Sequence, residues 1–490
     1  MERDGRDIGL ARSLARGLRE SFRARYTLGM DSQWFSRFAS WASKGRGLVP
    51  ILIFAMLAGF PALAPPSASA ENAPSPGAAA PSVAAPSMAA ENPAAQKAGN
   101  DKLDIFPTGP ARNEFPVILV HGIVAYGQDS PLPVSAWGGM GDFRARLAEE
   151  GWRIHSASMG PLSSNWDRAC ELFAYIRGGK TDYGAAHAAR HGHARFGREY
   201  PGVHPGWSEE NKVHLLCHSM GGQTARLLVR LLEAGAPEEI AATPEGHSPL
   251  FEGGRAWVLG LVTLCSPHDG STLSLVADYG SDLSRRALCA VIAAASPPYD
   301  PRLDQWGLSR LEGEGAGAYA SRLEADVSWY LGEDGCYGDL RPSGAAKLNG
   351  WARASPAVYY FSWAASDNYA FEDRRVPGIN MQPLLAVGSL AMGSFSGSDG
   401  GWDLGTAWRE NDGTVNTLSM DGPKLNSTDT IRAFTGRPAK GVWNFMGRLE
   451  GTDHVDLLGF STPPWYAPPG FASVVDWYRY NLRLLASLED

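Results

Sequence analysis

The stretch Val213 to Leu228, VHLLCHSMGGQTARLL, decides the fold. Val213, Leu215 and Leu216 read as a short buried strand, and from Gln223 onward the apolar residues of TARLLVRLLE recur at helical spacing. Ser219 therefore stands at a strand-to-helix corner. A serine on such a turn projects its hydroxyl off the end of a sheet. The helix N-terminus behind it offers free amides and the positive end of a dipole to a developing oxyanion. Gly221 and Gly222 suit close packing there, while Cys217 stands where a G-x-S-x-G pattern has its first glycine. The pentad alone fits a polar turn residue equally well, so partners must decide its role.

Working outward, strands and helices alternate. FPVILVHG (115–122) is a buried strand, GDFRARLAEEGW (141–152) a helix, RIHSASM (153–159) a second strand and VHLLC a third. WVLGLVTLCSP (257–267) and VYYFSWA (358–364) continue the series. This alternation predicts an α/β architecture: a mostly parallel central sheet, helices on both faces, and chemistry in the loops at the strand C-terminal ends.

Those loops supply the missing partners. The backbone N–H of Ile123, just after the first strand, and that of Met220 are candidate oxyanion donors. ENDGTVN places Asp412 in a polar loop downstream, and GTDHVDLLG places His454 beyond it. The chain order Ser, Asp, His is that of an α/β-hydrolase and differs from the orders of the other serine hydrolase folds. His268 and Asp269 in CSPHDGST would put the base before the acid, so they read as a turn with structural hydrogen bonds. Asp453 adjoins His454 in sequence and is poorly placed to reach its ring. Asp456 competes as acid or metal ligand, but Asp412 lies in the more suitable loop.

A chain of 490 residues with 44% hydrophobic residues accommodates one large α/β domain plus extensions. The net charge of −8 argues against nucleic acid as a partner. Five scattered cysteines without C-x-x-C spacing imply neither a disulfide framework nor a cysteine metal site. Near the N-terminus, Lys44 and Arg46 precede the apolar run 48–64, and Ala68-Ser69-Ala70 follows, as in a secretory signal cleaved after Ala70. Pro50 and Pro61 interrupt the run and favour removal over anchoring, so export is expected. Seven arginines make residues 1–29 an unusually long leader, which points to a translation start at Met30. Glu71 to Asn100 holds eleven Ala and five Pro and reads as an extended spacer. The domains expected are thus a leader and signal at 1–70, a linker at 71–104 and a hydrolase domain at 105–490.

From Phe115 onward the chain resembles the thermoalkalophilic bacterial lipases. The resemblance runs through GPLSSNWDRACE, DYGAAHAARHGHARFGREYPG, SMGGQTARLL, SPLFEGG, LDQWGL, SGAAKLN and NDGTVNTLSMDGPK. It implies an α/β-hydrolase with a helical lid and a zinc-bearing insertion, and it assigns nucleophile, acid and base to Ser219, Asp412 and His454. The family has a small residue where this chain has Cys217. The resemblance also implies a structural zinc on Asp167, His187, His193 and Asp304, although the histidine spacing alone is weak evidence. Four protein ligands close a tetrahedral site, so such a zinc braces the fold. The family's calcium site would use Asp456, but the second carboxylate position is Ser461 and the next ligand comes from Thr462. Losing an anionic ligand weakens a site for a hard cation, so tight calcium binding is not expected.

Asp282 to Ser296 carries apolar residues at helical spacing, with Asp282 as cap and Pro297-Pro298 as stop. Its position matches the family's lid helix, whose apolar face would include Leu283, Leu288, Val291 and Ile292. The expected function is a secreted serine lipase acting on triacylglycerol or another ester at a lipid–water interface, with no stable protein partner. The rivals are a carboxylesterase preferring short soluble esters and a non-catalytic lipid- or surface-binding domain.

Overall fold

The computed structural model describes residues 113–129, 136–138, 142–276, 282–297, 299–460 and 466–490. The leader, the Met30 start, the cleavage point at Ala70, the spacer, Ser461 and Thr462 lie outside the described residues, as does the side chain of Leu283. No helix among the described residues is long and apolar enough to cross a membrane.

Seven strands form the central sheet: β1 (Val117–Val120), β2 (Ile154–Ala157), β3 (Val213–His218), β4 (Val258–Leu264), β5 (Tyr359–Ser366), β6 (Ile431–Ala433) and β7 (Trp443–Glu450). Their order is β6-β7-β5-β4-β3-β1-β2, and every pairing is parallel. The sequence foretold the first five strands to within three residues at each end. It did not foretell β6 and β7, the pair that leads to His454.

A parallel sheet needs cover on both faces, and alternate side chains supply it. Ile118 and Val120 of β1 join Leu215 of β3 and Leu228 and Leu231 of the helix Met220–Ala234 in one core. Val117 and Leu119 point the other way, to Leu216, Val262 and the C-terminal helix Val474–Ala486 through Trp477 and Leu484. Between β2 and β3 the chain forms the helix Asn165–Arg177, then an antiparallel hairpin, Gly179–Asp182 with Phe196–Tyr200, that encloses the short helix Ala185–His191. Ser164 caps the first of these helices by accepting from the Asp167 N–H. The five cysteines are free and buried, without a disulfide among them.

Candidate active site and metal-ligating cluster

The elbow stores backbone strain at the serine. Ser219, between β3 and the helix Met220–Ala234, has φ 57° and ψ −134°, a conformation disfavoured for a residue with a Cβ. Two glycines make the turn feasible. A Cβ on Gly221 would lie 2.3 Å from the Val120 carbonyl oxygen, and one on Gly222 would lie 2.3 Å from Ser266 Oγ. Cys217, where a first glycine was the expectation, is a fully buried β3 residue, and burial pushes its thiol pKa up.

The three residues singled out at the strand ends converge. His454 Nε2 lies 3.0 Å from Ser219 Oγ, and His454 Nδ1 lies 2.7 Å from Asp412 Oδ2. The other Asp412 oxygen accepts the N–H groups of Thr414 and Val415 at 3.0 and 2.8 Å. Since Nδ1 faces a carboxylate, it carries the imidazole proton and Nε2 presents its lone pair to the serine. The His218 ring fixes the base from below, with Nε2 2.8 Å from the His454 carbonyl oxygen. Its own pKa is lowered by burial and by His454, so it stays neutral. Cys265 completes the group. Its sulfur, an Asp412 oxygen and a His454 nitrogen lie within 4.8 Å of one another. Burial is the main reason that this thiol, too, has a raised pKa.

Ile123 and Ser219 border the same cavity, of ≈ 500 Å³ with its open solvent included. Among the described residues neither the Ile123 nor the Met220 N–H donates a hydrogen bond, as required of amides kept for a substrate oxygen. The cavity is mainly apolar. Its lining includes Leu273 and Ser274 of the helix Leu273–Val276, Tyr330, and Cys336, Tyr337 and Leu340 of the helix Cys336–Leu340. A helix does form in the segment expected to be the lid, at Asp282–Ala295, and packs against the helix Ala316–Ala325. Leu288 and Ile292 are buried and Val291 is partly buried, yet none of the three lines the cavity. The alternatives weighed along the sequence have structural tasks. Asp269 accepts from Asn349 Nδ2 and from the Lys424 and Leu425 N–H groups, and the Asp453 carboxylate accepts from the Gln382, Val455 and Asp456 N–H groups.

A second cluster lies in the hairpin region. Ligand atoms of Asp167, His187, His193 and Asp334 fall within 4.8 Å of one another. Asp167 Oδ1, His187 Nε2, His193 Nε2 and Asp334 Oδ2 are buried without hydrogen-bond partners. Such orphaned donor atoms, facing one another, are what a cation satisfies. The outer contacts agree: His193 Nδ1 lies 2.9 Å from the Ala194 carbonyl oxygen, which turns Nε2 inward, and Gln305 Nε2 donates to Asp167 Oδ2 at 2.9 Å. One expected ligand is corrected. Asp304 is held away from the cluster by Arg198, whose guanidinium donates to both of its carboxylate oxygens, and Asp334 stands in the fourth position of the cluster. Asp456 belongs to neither of the two groups with metal-like spacing among the described residues; one of its oxygens accepts the Asp453 N–H at 2.8 Å.

A fully parallel sheet with a strained serine after β3 and its acid and base after β5 and β7 defines an α/β-hydrolase. Residues 113–464 match the family described as lipase-like, C-terminal domain, and the chain belongs to that bacterial lipase family. Lipase 2 of Staphylococcus aureus is 35% identical over 366 residues, 71% of this chain and 50% of the relative. The chain thus spans about half the length of the curated relatives it matches. EstA from Clostridium botulinum is similar in structure, with a TM-score of 0.70 and 39% identity over 78% of this chain and 91% of that one. Lipase 1 from Pelosinus fermentans gives 0.67 and 39% over 77% and 100%, and Staphylococcus hyicus lipase gives 0.68 and 30% over 78% and 97%.

Proposed function

We propose that this chain is a secreted serine lipase that hydrolyses triacylglycerol esters at a lipid–water interface. The observation that carries the reading is the unbroken relay from Asp412 through His454 to Ser219 Oγ at the edge of an apolar cavity. Ser219 attacks the ester carbonyl while His454 Nε2 takes its proton, and the Ile123 and Met220 amides bind the oxyanion. Asp412 stabilises the imidazolium. His454 then protonates the leaving alcohol and afterwards takes a proton from the water that cleaves the acyl-enzyme.

Zinc is the cation that suits Asp167, His187, His193 and Asp334, two imidazole nitrogens and two carboxylate oxygens. When bound it supplies a cross-link between the helix Asn165–Arg177, the hairpin and the Asp334 loop, since four protein ligands leave no position for substrate. Export follows from the charged, apolar and small-residue segments before Ala70.

The test is the initial rate on emulsified long-chain triacylglycerol and on a soluble short-chain ester, beside Ser219→Ala. Serine-dependent activity on the emulsion supports the lipase. Activity on the soluble ester alone makes it a carboxylesterase, a reading that the modest cavity favours. A folded, zinc-loaded chain inactive on both would overturn the proposal.

A further inference from the structure

Among the described residues, Arg168 is a buried cation with no carboxylate in hydrogen-bond or ion-pair contact. Its side chain is wholly enclosed, and its donors go to neutral oxygens. One terminal nitrogen donates to the His121 carbonyl; the other donates to the carbonyls of Gly160 at 2.9 Å and of Gly122 at 3.4 Å. Nε donates at 3.0 Å to Thr224 Oγ1, on the helix that begins at the elbow. Enclosing a charge in this way is costly, so the arrangement calls for a compensating purpose.

The purpose lies in the peptide unit that joins Gly122 to Ile123. A trans peptide is planar, with its C=O and N–H pointing in opposite directions. Gly122 O is held from two sides, by Arg168 and by His121 Nδ1 at 2.7 Å. The His121 tautomer is fixed, because Nε2 accepts the Met159 N–H at 3.1 Å and Nδ1 must therefore be the donor. With Gly122 O fastened toward Arg168, the Ile123 N–H is turned away from it. The serine lies beside this unit: a Cβ on Gly122 would come within 2.7 Å of Ser219 Cβ, and Ile123 and Ser219 share a cavity wall. Through Thr224, on the helix that starts at the elbow and with its hydroxyl 2.8 Å from Asn165 Oδ1 and 3.2 Å from the Met220 carbonyl oxygen, the same guanidinium ties this loop to the elbow.

We propose that Arg168 is a positioning residue that aims the Ile123 N–H at the oxyanion formed when Ser219 attacks. The proposal rests on Ser219 being an acylating nucleophile. Lysine at this position keeps the charge but cannot span acceptors on three segments, so the loop should loosen while the triad stays intact.

The experiment compares wild type, Arg168→Lys and Thr224→Val on a soluble short-chain ester, with rates normalised to active sites titrated with a phosphonate. Affinity for an alkylboronic acid, whose serine adduct carries the tetrahedral oxygen, is measured in parallel. Misplacing one oxyanion donor costs up to ~10²–10³ in rate, so Arg168→Lys should lower kcat by ~10- to 100-fold. KM should stay within about threefold, and boronic-acid affinity should fall with kcat. Thr224→Val, which removes the Nε acceptor together with the hydroxyl's own contacts to Asn165 and Met220, should show the same pattern more weakly, and it decides the matter if Arg168→Lys does not fold. Folded variants that lose melting temperature yet keep wild-type kcat and boronic-acid affinity would overturn the positioning role. An inactive wild type would instead remove the hydrolase reading, and this one with it.

Discussion

Replacing Asp412 with asparagine should nearly silence the enzyme without disturbing its fold, and the reason lies in the orientation of one amide. The carboxylate accepts the Thr414 and Val415 N–H groups on Oδ1 and faces His454 Nδ1 through Oδ2. An asparagine can keep both backbone bonds only with its carbonyl oxygen at the Oδ1 position, so its NH₂ faces the imidazole. The opposite flip would leave two buried N–H groups without acceptors, at about 1–3 kcal/mol each, around a residue with 0% exposure. Facing an NH₂, Nδ1 must accept, and the ring proton moves to Nε2. That nitrogen lies 3.0 Å from Ser219 Oγ and can then no longer take the serine proton. Loss of the correct tautomer costs ~10⁴ in kcat in a comparable triad, about 5 kcal/mol in the barrier. The assay is kcat on a soluble ester, normalised to folded protein by thermal melting and far-UV circular dichroism. A folded Asp412→Asn that retained more than a tenth of wild-type kcat would refute this account of the base.

Two further predictions concern metal and pH. Asp334→Ala should abolish stoichiometric zinc, measured by elemental analysis after dialysis, and lower the melting temperature, whereas Asp304→Ala should keep the metal; loss from the Asp304 variant alone would reverse the correction. Glu171, which accepts from Tyr183 and the Gly160 N–H, is raised by burial from an ordinary 4.5 to about 7. In that window the folded state holds a proton that the unfolded state has lost, so this residue makes stability fall with rising pH between 4.5 and about 7, by about 3 kcal/mol in all. Glu171→Gln should flatten this part of the pH–stability curve from urea unfolding; an unchanged slope would show that Glu171 ionises normally in the fold.

The parts of this molecule legible in its sequence are those with a local signal. The buried strands announce themselves as apolar runs, and the elbow announces itself as a strand that becomes a helix at Ser219. Asp412 and His454 could be chosen because chain order and loop position are linear properties. β7 gave no comparable signal, since WNFMGRLE mixes exposed charged residues with apolar ones. The metal ligands show the limit most plainly. His187 and His193 sit in one hairpin, but which distant aspartate completes their set depends on how two loops travel in space. Asp304 is claimed by Arg198, and Asp334 arrives just ahead of the helix Cys336–Leu340. Arg168 and Cys265 were equally silent. The first sits inside a quoted motif whose importance the sequence could not apportion, and the second comes within 4.8 Å of Asp412 only across the fold.

The distance along the chain between Ser219 and His454, 235 residues, has a meaning for how the molecule comes to life. The elbow belongs to strands in the first half of the described fold, whereas the base follows β7 and depends on β5 and β7 being paired beneath it. A chain that is still emerging already owns its serine but has nothing to deprotonate it. The relay of the proposed function is therefore assembled only when the far end of the sheet is complete, so a half-made molecule is held idle by the order of its own strands.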